Sequence, residues 1–310
     1  MNNFVYAVDE NYNTQLFYSI FSLLDNFDSD VNVYVIHKNP ESFINYKKSL
    51  ENSYKMLNLN IYKFHFSNFD FPNIKDKHVS EATYYRLFID QIIPKEIDFY
   101  TYLDADIICI NTPMQYLSEV INELTYGEQI IGCRTEKNLI TENKESFELL
   151  GMQSSKYFNA GVMVVNHQKW QTENVGARLL EKLNEIKDKI NYWDQDVLNS
   201  FFDGRYKELS LNLNYPINLR WPMDCKDISS KGIFLHYQSN NKPWSIRGCF
   251  NLGSSFYQDI ALKTESKHHL VKTVRRFDLL HLIIDTFKLN FRNISEPFKF
   301  YKLAIRKIFR

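Results

Sequence analysis

Along the first sixty residues, short apolar runs alternate with stretches of helical spacing. Phe4-Val5-Tyr6-Ala7-Val8 is an apolar run of the length that a buried strand has. Leu16, Ile20, Leu23 and Leu24 then recur at three- and four-residue intervals, which predicts a helix. Val31-Asn32-Val33-Tyr34-Val35-Ile36, largely β-branched and bounded by Asp30 and Asn39, predicts a second strand. A polar helical stretch follows from Pro40, and residues 57–66 predict a third strand. Strand, helix, strand, helix, strand is the order of a parallel sheet covered on both faces. Ligands of such sheets gather at the carboxyl ends of the strands.

The pattern continues with strands predicted at Phe99-Tyr100-Thr101-Tyr102-Leu103, at 129–133, within 157–165 and at 232–236. A charged amphipathic helix is expected over 174–190. Near residue 250 the character changes. Residues 267–310 carry eleven basic side chains against Asp278, Asp285 and Glu296, with Leu279, Leu280, Ile283, Ile284, Phe287, Phe291, Phe298 and Phe309 among the apolar residues between them. Basic residues interleaved with large apolar ones predict one or two helices lying on a membrane surface, where each cation near an anionic leaflet contributes about 1 kcal/mol. A tail that packs on the core, or one that docks a protein, would carry the same pattern. The expected division is a catalytic domain over 1–250 and a basic amphipathic segment over 251–310.

The 310 residues hold 37 basic and 37 acidic side chains, so the formal net charge is zero. That balance argues against a general nucleic-acid binder, which is normally basic overall. Cys109, Cys133, Cys225 and Cys249 are widely spaced with no CxxC pair, which argues against structural zinc. The opening Met1-Asn2-Asn3-Phe4-Val5-Tyr6 lacks a basic and then apolar leader pattern, and no run of about 18 uncharged apolar residues occurs. The expectation is a cytoplasmic α/β protein with reduced thiols, peripheral on the inner face of the membrane through its tail.

Asp104-Ala105-Asp106 directly follows the strand at Phe99 to Leu103. In extended backbone, residues i and i+2 point the same way, so two carboxylates there can share one hard divalent cation with diphosphate oxygens. An Asp-x-Asp pair is common by chance, and its place at a strand's carboxyl end is what gives it weight. No GxxxxGK[ST] occurs, no GxGxxG follows a strand, and nine glycines leave little for a glycine-rich phosphate cradle. A phosphorylated ligand would need metal and cationic side chains instead. His236 and Lys242, in His236-Tyr237-Gln238-Ser239-Asn240-Asn241-Lys242-Pro243-Trp244, are the candidates.

Four ordered segments together carry a family resemblance: Asp104-Ala105-Asp106, Tyr157-Phe158-Asn159-Ala160-Gly161-Val162, Trp193-Asp194-Gln195-Asp196-Val197-Leu198-Asn199 and residues 236–244. Residues 1–250 resemble glycosyltransferase family 8, retaining sugar transferases that include lipopolysaccharide galactosyl- and glucosyltransferases and glycogenin. The resemblance implies a GT-A type fold, a Rossmann-like mixed sheet flanked by helices, followed here by a small basic helical segment. It implies manganese, with magnesium as the alternative, held by Asp104, Asp106 and His236. It implies a UDP-hexose donor whose uracil and ribose meet Ala7, Asp9, Asn11 and Tyr12. Arg86, Ala105, Asn159, Ala160 and Gly161 match positions near the donor, and Lys242 matches a lysine on the diphosphate. Asp194 and Gln195 match positions beside the donor sugar. Two departures stand out: Ser239 replaces a usual glycine, and the acidic position after the strand near Gly132 aligns only loosely, with Glu136 the nearest candidate.

Metal and Lys242 would then stabilise charge on the departing UDP, and an acceptor hydroxyl would attack a carbon of oxocarbenium character. Retention is implied by the resemblance alone. An amide is a poor nucleophile, so front-face attack with Gln195 positioning the sugar is favoured over a covalent intermediate. The expected acceptor is a glycan or lipid-linked molecule such as lipopolysaccharide. The expected donor is UDP-galactose, with UDP-glucose next. A glycogenin-like, tyrosine-directed enzyme and a non-catalytic nucleotide-sugar binder are the competing readings; the intact Asp104, Asp106, His236 and Lys242 set disfavours the second.

Overall fold

The apolar run at residues 4–8 forms β1 (Asn3–Val8) in the computed structural model, which describes residues 2–66, 71–72, 80–136, 144–238, 240–264 and 270–309. Ser239 lies outside the described residues, as do Lys267 and Arg310, two of the eleven basic residues of 267–310. The chain divides into two compact units. The first comprises Met1–Leu16, Phe27–Ala105 and Pro113–Leu213; the second comprises Phe17–Asn26, Asp106–Thr112 and Asn214–Arg310.

In the first unit, β1 is joined by β2 (Val31–His37), β3 (Leu57–Lys63), β4 (Phe99–Leu103), β6 (Ile131–Thr135), β7 (Phe158–Asn166) and β8 (Lys207–Glu208); β5 (Ile107–Cys109) belongs to the second unit. Among the described residues the order is β3-β2-β1-β4-β7-β6-β8. The parallel arrangement expected from the first sixty residues holds from β3 to β4. It then stops, because β7 runs antiparallel to both β4 and β6 and makes the sheet mixed. All nine residues of β7 are buried, as befits a strand with neighbours on both edges. One large core of this unit collects Tyr84, Tyr85, Tyr100, Tyr102, Tyr157 and Trp170, so many of the aromatics are structural. The strand expected at 129–133 is shifted by two residues, and the helix expected over 174–190 is Val175–Ile186.

The second unit carries a small sheet ordered β5 (Ile107–Cys109), β10 (Phe234–Tyr237), β9 (Tyr215–Ile217). The basic tail forms the helices Asp278–Phe287 and Pro297–Ile308. Their inner faces put Leu282, Phe300 and Ala304 into one core with Ile246, Cys249 and Phe250. The tail therefore packs within this unit, while Phe277, Leu280, Phe287, Phe298 and Phe309 stay exposed. No helix among the described residues is long and apolar enough to cross a membrane. All four cysteines are free thiols; Cys109, Cys133 and Cys249 are buried, which pushes each of them well above the usual thiol range, and Cys225 is half-buried.

Candidate functional site

Two groups of side chains, one in each unit, contain most of the residues singled out by the sequence. In the first unit the group centres on Arg86, from the run Glu81–Gln91. Its guanidinium is buried: Nη2 donates to Asp104 Oδ1 at 2.8 Å, Nη1 to the Ala160 carbonyl at 2.6 Å and Nε to the Thr83 carbonyl at 3.3 Å, and Nε also stands 2.8 Å from Asp194 Oδ2 as an ion pair. The guanidinium also lies over the Tyr102 ring, 4.4 Å from its centroid. Burial alone would favour the neutral form. Asp104 and Asp194 override it and hold Arg86 protonated. A planar fork with several donors is what acceptors in different directions require, and lysine could not supply it.

Asp104 ends β4. Its backbone N–H donates to the Gly161 carbonyl at 2.8 Å, and the Tyr102 hydroxyl donates to its Oδ1 at 3.0 Å. Asp194 is buried at the start of the helix Trp193–Phe202. Its Oδ1 accepts from the Thr83 hydroxyl. Burial pushes its carboxyl up to about 6 even with the Arg86 guanidinium beside it. Gln195, the next residue, accepts from the Ala160 N–H through Oε1 at 3.0 Å. That bond orients the amide of Gln195 against the Asn159-Ala160-Gly161 backbone, where Asn159 Oδ1 accepts from the Gly161 N–H at 3.0 Å. Trp193 begins the helix at φ 50, left-handed backbone that a bulky residue adopts only under constraint. Strain therefore sits directly before Asp194 and Gln195. Glu136 pairs with Arg134 at 2.9 Å.

Ala7, Asp9, Asn11 and Tyr12 follow along the carboxyl end of β1. Asp9 is buried, and its Oδ1 accepts from the Asn11 N–H at 2.9 Å, capping the turn Glu10–Tyr12. The neighbouring strand ends in His37, fully buried, which the sequence reading passed over. Its Nδ1 accepts from the Asn39 N–H at 2.9 Å, and Nε2 lies 2.7 Å from Asn13 Oδ1. Both nitrogens are satisfied in the neutral ring, and burial lowers its pKa to about 4. Between that value and 6.5, the unfolded chain binds a proton that the folded one does not. His37 thus withdraws about 3 kcal/mol of stability as pH falls through this window. Asp194 acts in the opposite sense, since its folded carboxyl is protonated first. The expected result is a smaller loss of unfolding free energy from pH 7 to about pH 4.5 in His37→Gln than in the parent, read by urea titration at each pH. An equal loss would refute the assignment.

In the second unit the group is Asp106, His236 and Lys242. Lys242 Nζ donates to Asp106 Oδ2 at 2.6 Å and to the Tyr237 carbonyl at 2.5 Å. Burial works against the Asp106 charge, but Lys242 and His236 outweigh it and hold the carboxyl below the usual range. Asp106 Oδ1 is buried and has no hydrogen-bond donor; His236 Nε2 lies 3.4 Å away. Across the ring, His236 Nδ1 is 3.1 Å from Asn214 Oδ1, an acceptor, so Nδ1 carries a proton. A buried carboxylate oxygen without a hydrogen-bond donor, beside an imidazole nitrogen, is a donor set that suits a divalent cation of the manganese type. The Lys242 backbone is packed hard against Gly248: a Cβ there would stand 1.9 Å from the Lys242 carbonyl oxygen, so only glycine fits.

Three partners escaped the sequence reading. Tyr102 carried a signal, since it is two residues before Asp104 on the same strand face. Thr83 and Asn214 carried none, because nothing in the sequence links them to Asp194 and His236.

The model of glycosyl transferase family 8 matches residues 3–247. The lipopolysaccharide 1,3-galactosyltransferase of Salmonella typhimurium is 30% identical over 190 residues, 59% of this chain and 55% of that protein. The lipopolysaccharide glucosyltransferase WaaO of Escherichia coli is 29% identical over 174 residues, 54% of this chain and 50% of its own. The chain thus aligns with about half the length of each. A crystal structure of the galactosyltransferase LgtC with donor and acceptor sugar analogs shares the fold. The TM-score is 0.68 at 21% identity, covering 88% of this chain and 98% of that one.

Proposed function

Since the chain belongs to glycosyltransferase family 8, and therefore to a family of glycosyl transferases, we propose that it moves a hexose from a UDP-sugar to a hydroxyl of a cell-surface glycan such as lipopolysaccharide. Galactose is the first choice and glucose the second. The lipopolysaccharide galactosyl- and glucosyltransferases among its relatives support the acceptor class. The observation that carries the reading is the donor-free, buried Oδ1 of Asp106, 3.4 Å from His236 Nε2. A solvated Asp-x-Asp loop would not leave a carboxylate oxygen in that state.

In this reading Asp104, Asp106 and His236 hold a manganese ion, or magnesium in its place. When bound, the ion neutralises the diphosphate and makes UDP a better leaving group. Lys242 meets the diphosphate as a point charge. Ala7, Asp9, Asn11 and Tyr12 take the uridine, while Arg86, Ala105, Asn159, Ala160 and Gly161 border the donor sugar. Asp194 orients sugar hydroxyls. Gln195, its amide fixed by the Ala160 N–H, supports positive charge at the anomeric carbon while the acceptor attacks from the face that UDP leaves, which preserves configuration. Residues 1–250 supply this chemistry. The segment 251–310 attaches to the inner face of the membrane through Phe277, Leu280, Phe287 and Phe298, whose wide exposure beside basic residues supports that assignment.

The test is UDP release without acceptor from a panel of UDP-sugars with manganese, since such enzymes hydrolyse their donor slowly. Release from one UDP-hexose, abolished by EDTA, is expected. No release from any donor, together with no calorimetric binding of UDP and manganese, would overturn the proposal.

A further inference from the structure

The second unit contains a cleft of about 670 Å³, within the size range of small-ligand sites, that none of the chemistry above uses. Its walls come from three segments: residues 219–223, the stretch around Asn241, Arg247 and Asn251, and the helix Asp278–Phe287 with the turn after it. Each wall is held by its own bonds. Asn251 Nδ2 donates to the carbonyls of Leu219 and Trp221 at 3.2 and 2.8 Å, which fixes the first. Arg247 Nε donates to the buried Asp278 carboxylate at 2.8 Å, and the Arg275 N–H donates to its other oxygen at 2.7 Å, which anchors the helix. Asn293 Nδ2 donates to the Phe250 carbonyl at 2.9 Å and ties in the turn. The cleft is therefore a built cavity.

Its chemistry is distinctive. Trp221 is 67% exposed, although the turn beneath it is fixed by bonds from Arg220 N–H and Trp221 N–H to Asn218. A solvent-facing indole on a hydrogen-bonded turn offers an apolar platform for the C–H face of a pyranose. Around it stand Arg220, Lys288 and His281, and no carboxylate pairs with either Arg220 or Lys288 among the described residues. Asp285 is the one acidic lining residue, and its Oδ1 already accepts from Asn290 at 2.8 Å. An aromatic platform ringed by uncompensated cations and side-chain amides suits a sugar that carries negative charge.

We infer that this cleft binds an anionic oligosaccharide, a phosphorylated or otherwise acidic stretch of the acceptor glycan. The inference rests on the transferase reading. Asn241, in the cleft, directly precedes Lys242, so a glycan seated there lies one residue along the chain from the proposed diphosphate lysine. The cleft holds the acceptor by a part remote from the attacking hydroxyl, which raises specificity without entering the chemistry.

Calorimetry on the full chain tests this with a sulfated tetrasaccharide and its desulfated counterpart. The sulfated probe is expected to bind at least tenfold more tightly than the neutral one. Arg220→Ala/Lys288→Ala is expected to weaken the sulfated probe at least tenfold, and Trp221→Ala to weaken both probes, with acceptor-free UDP release unchanged throughout. Unaltered binding by the cleft variants overturns the inference. So does an equal loss in Lys302→Ala/Arg306→Ala, which would mark general attraction to the basic tail. If the cleft variants lose binding to anionic vesicles while the saccharide never binds, the site belongs to lipid head groups and the inference also fails. Donor hydrolysis without saccharide binding refutes the cleft assignment alone, whereas absent donor hydrolysis together with absent binding of UDP and manganese refutes the transferase reading.

Discussion

Asp106→Asn is expected to lower UDP release and sugar transfer about a thousandfold while costing the fold only about 1–3 kcal/mol, the loss of the carboxylate charge that Lys242 contacts at 2.6 Å. The two effects differ in size because an asparagine amide oxygen still accepts from Lys242 but brings no charge to the site. Asp106 Oδ1 is buried without a hydrogen-bond donor, 3.4 Å from His236 Nε2. The same amide is a weak metal ligand and a neutral one. Losing several kcal/mol of charge stabilisation, at about 1.4 kcal/mol per decade, gives the expected thousandfold. Urea titration and donor hydrolysis on the same preparation check both halves. Retained activity would remove the cation from the reading, and a large loss of stability would make Asp106 a structural residue.

Arg86 is expected to weigh more heavily on the fold. Replacing it with methionine leaves the buried Asp194 and the half-buried Asp104 without the cation that both contact at 2.8 Å. Removing one partner from a buried ion pair typically costs about 3–5 kcal/mol, and two carboxylates depend on this one. The expected outcome is a large fall in the urea midpoint with activity lost alongside. Arg86→Lys should recover little, because an ammonium cannot reach Asp104, Asp194 and the Ala160 carbonyl together. Adding Asp194→Asn to Arg86→Met should restore part of the stability and none of the activity. If Arg86→Met unfolds at the parent's midpoint, the guanidinium is not the hub described above.

These two residues also show how far the sequence could be read. Asp106 was legible because an apolar strand runs straight into an Asp-x-Asp, and strand ends are where α/β sheets hold ligands. The strands β1, β2 and β4 were legible for a related reason: buried parallel strands are nearly continuous apolar runs. The direction of β7 was not, since a fully buried strand looks the same in either orientation. Arg86 came from the family resemblance alone, for nothing in Thr83-Tyr84-Tyr85-Arg86-Leu87 marks a buried cation. Its role as a hub depends on pairings 18 and 108 residues away, and local spacing carries no such information. The tail shows the converse. Its alternation of basic and apolar residues fits a membrane-surface helix and a tail packed on the core alike; Leu282, Phe300 and Ala304 close a core with Ile246 and Phe250, so only part of the apolar set faces outward.

The distribution of the thiols has a kinetic meaning. Cys133 is the sole cysteine of the first unit and lies in its sheet on β6; Cys109 and Cys249 are sealed in the second unit. None can meet an alkylating reagent until its surroundings open. Labelling at each site therefore times an opening event, slow where the whole unit must come apart and fast where a local fluctuation suffices. With Cys225 as the half-buried, early-reacting reference, mass spectrometry of a single native sample would reveal whether the sheet and the tail core unfold together or one releases before the other.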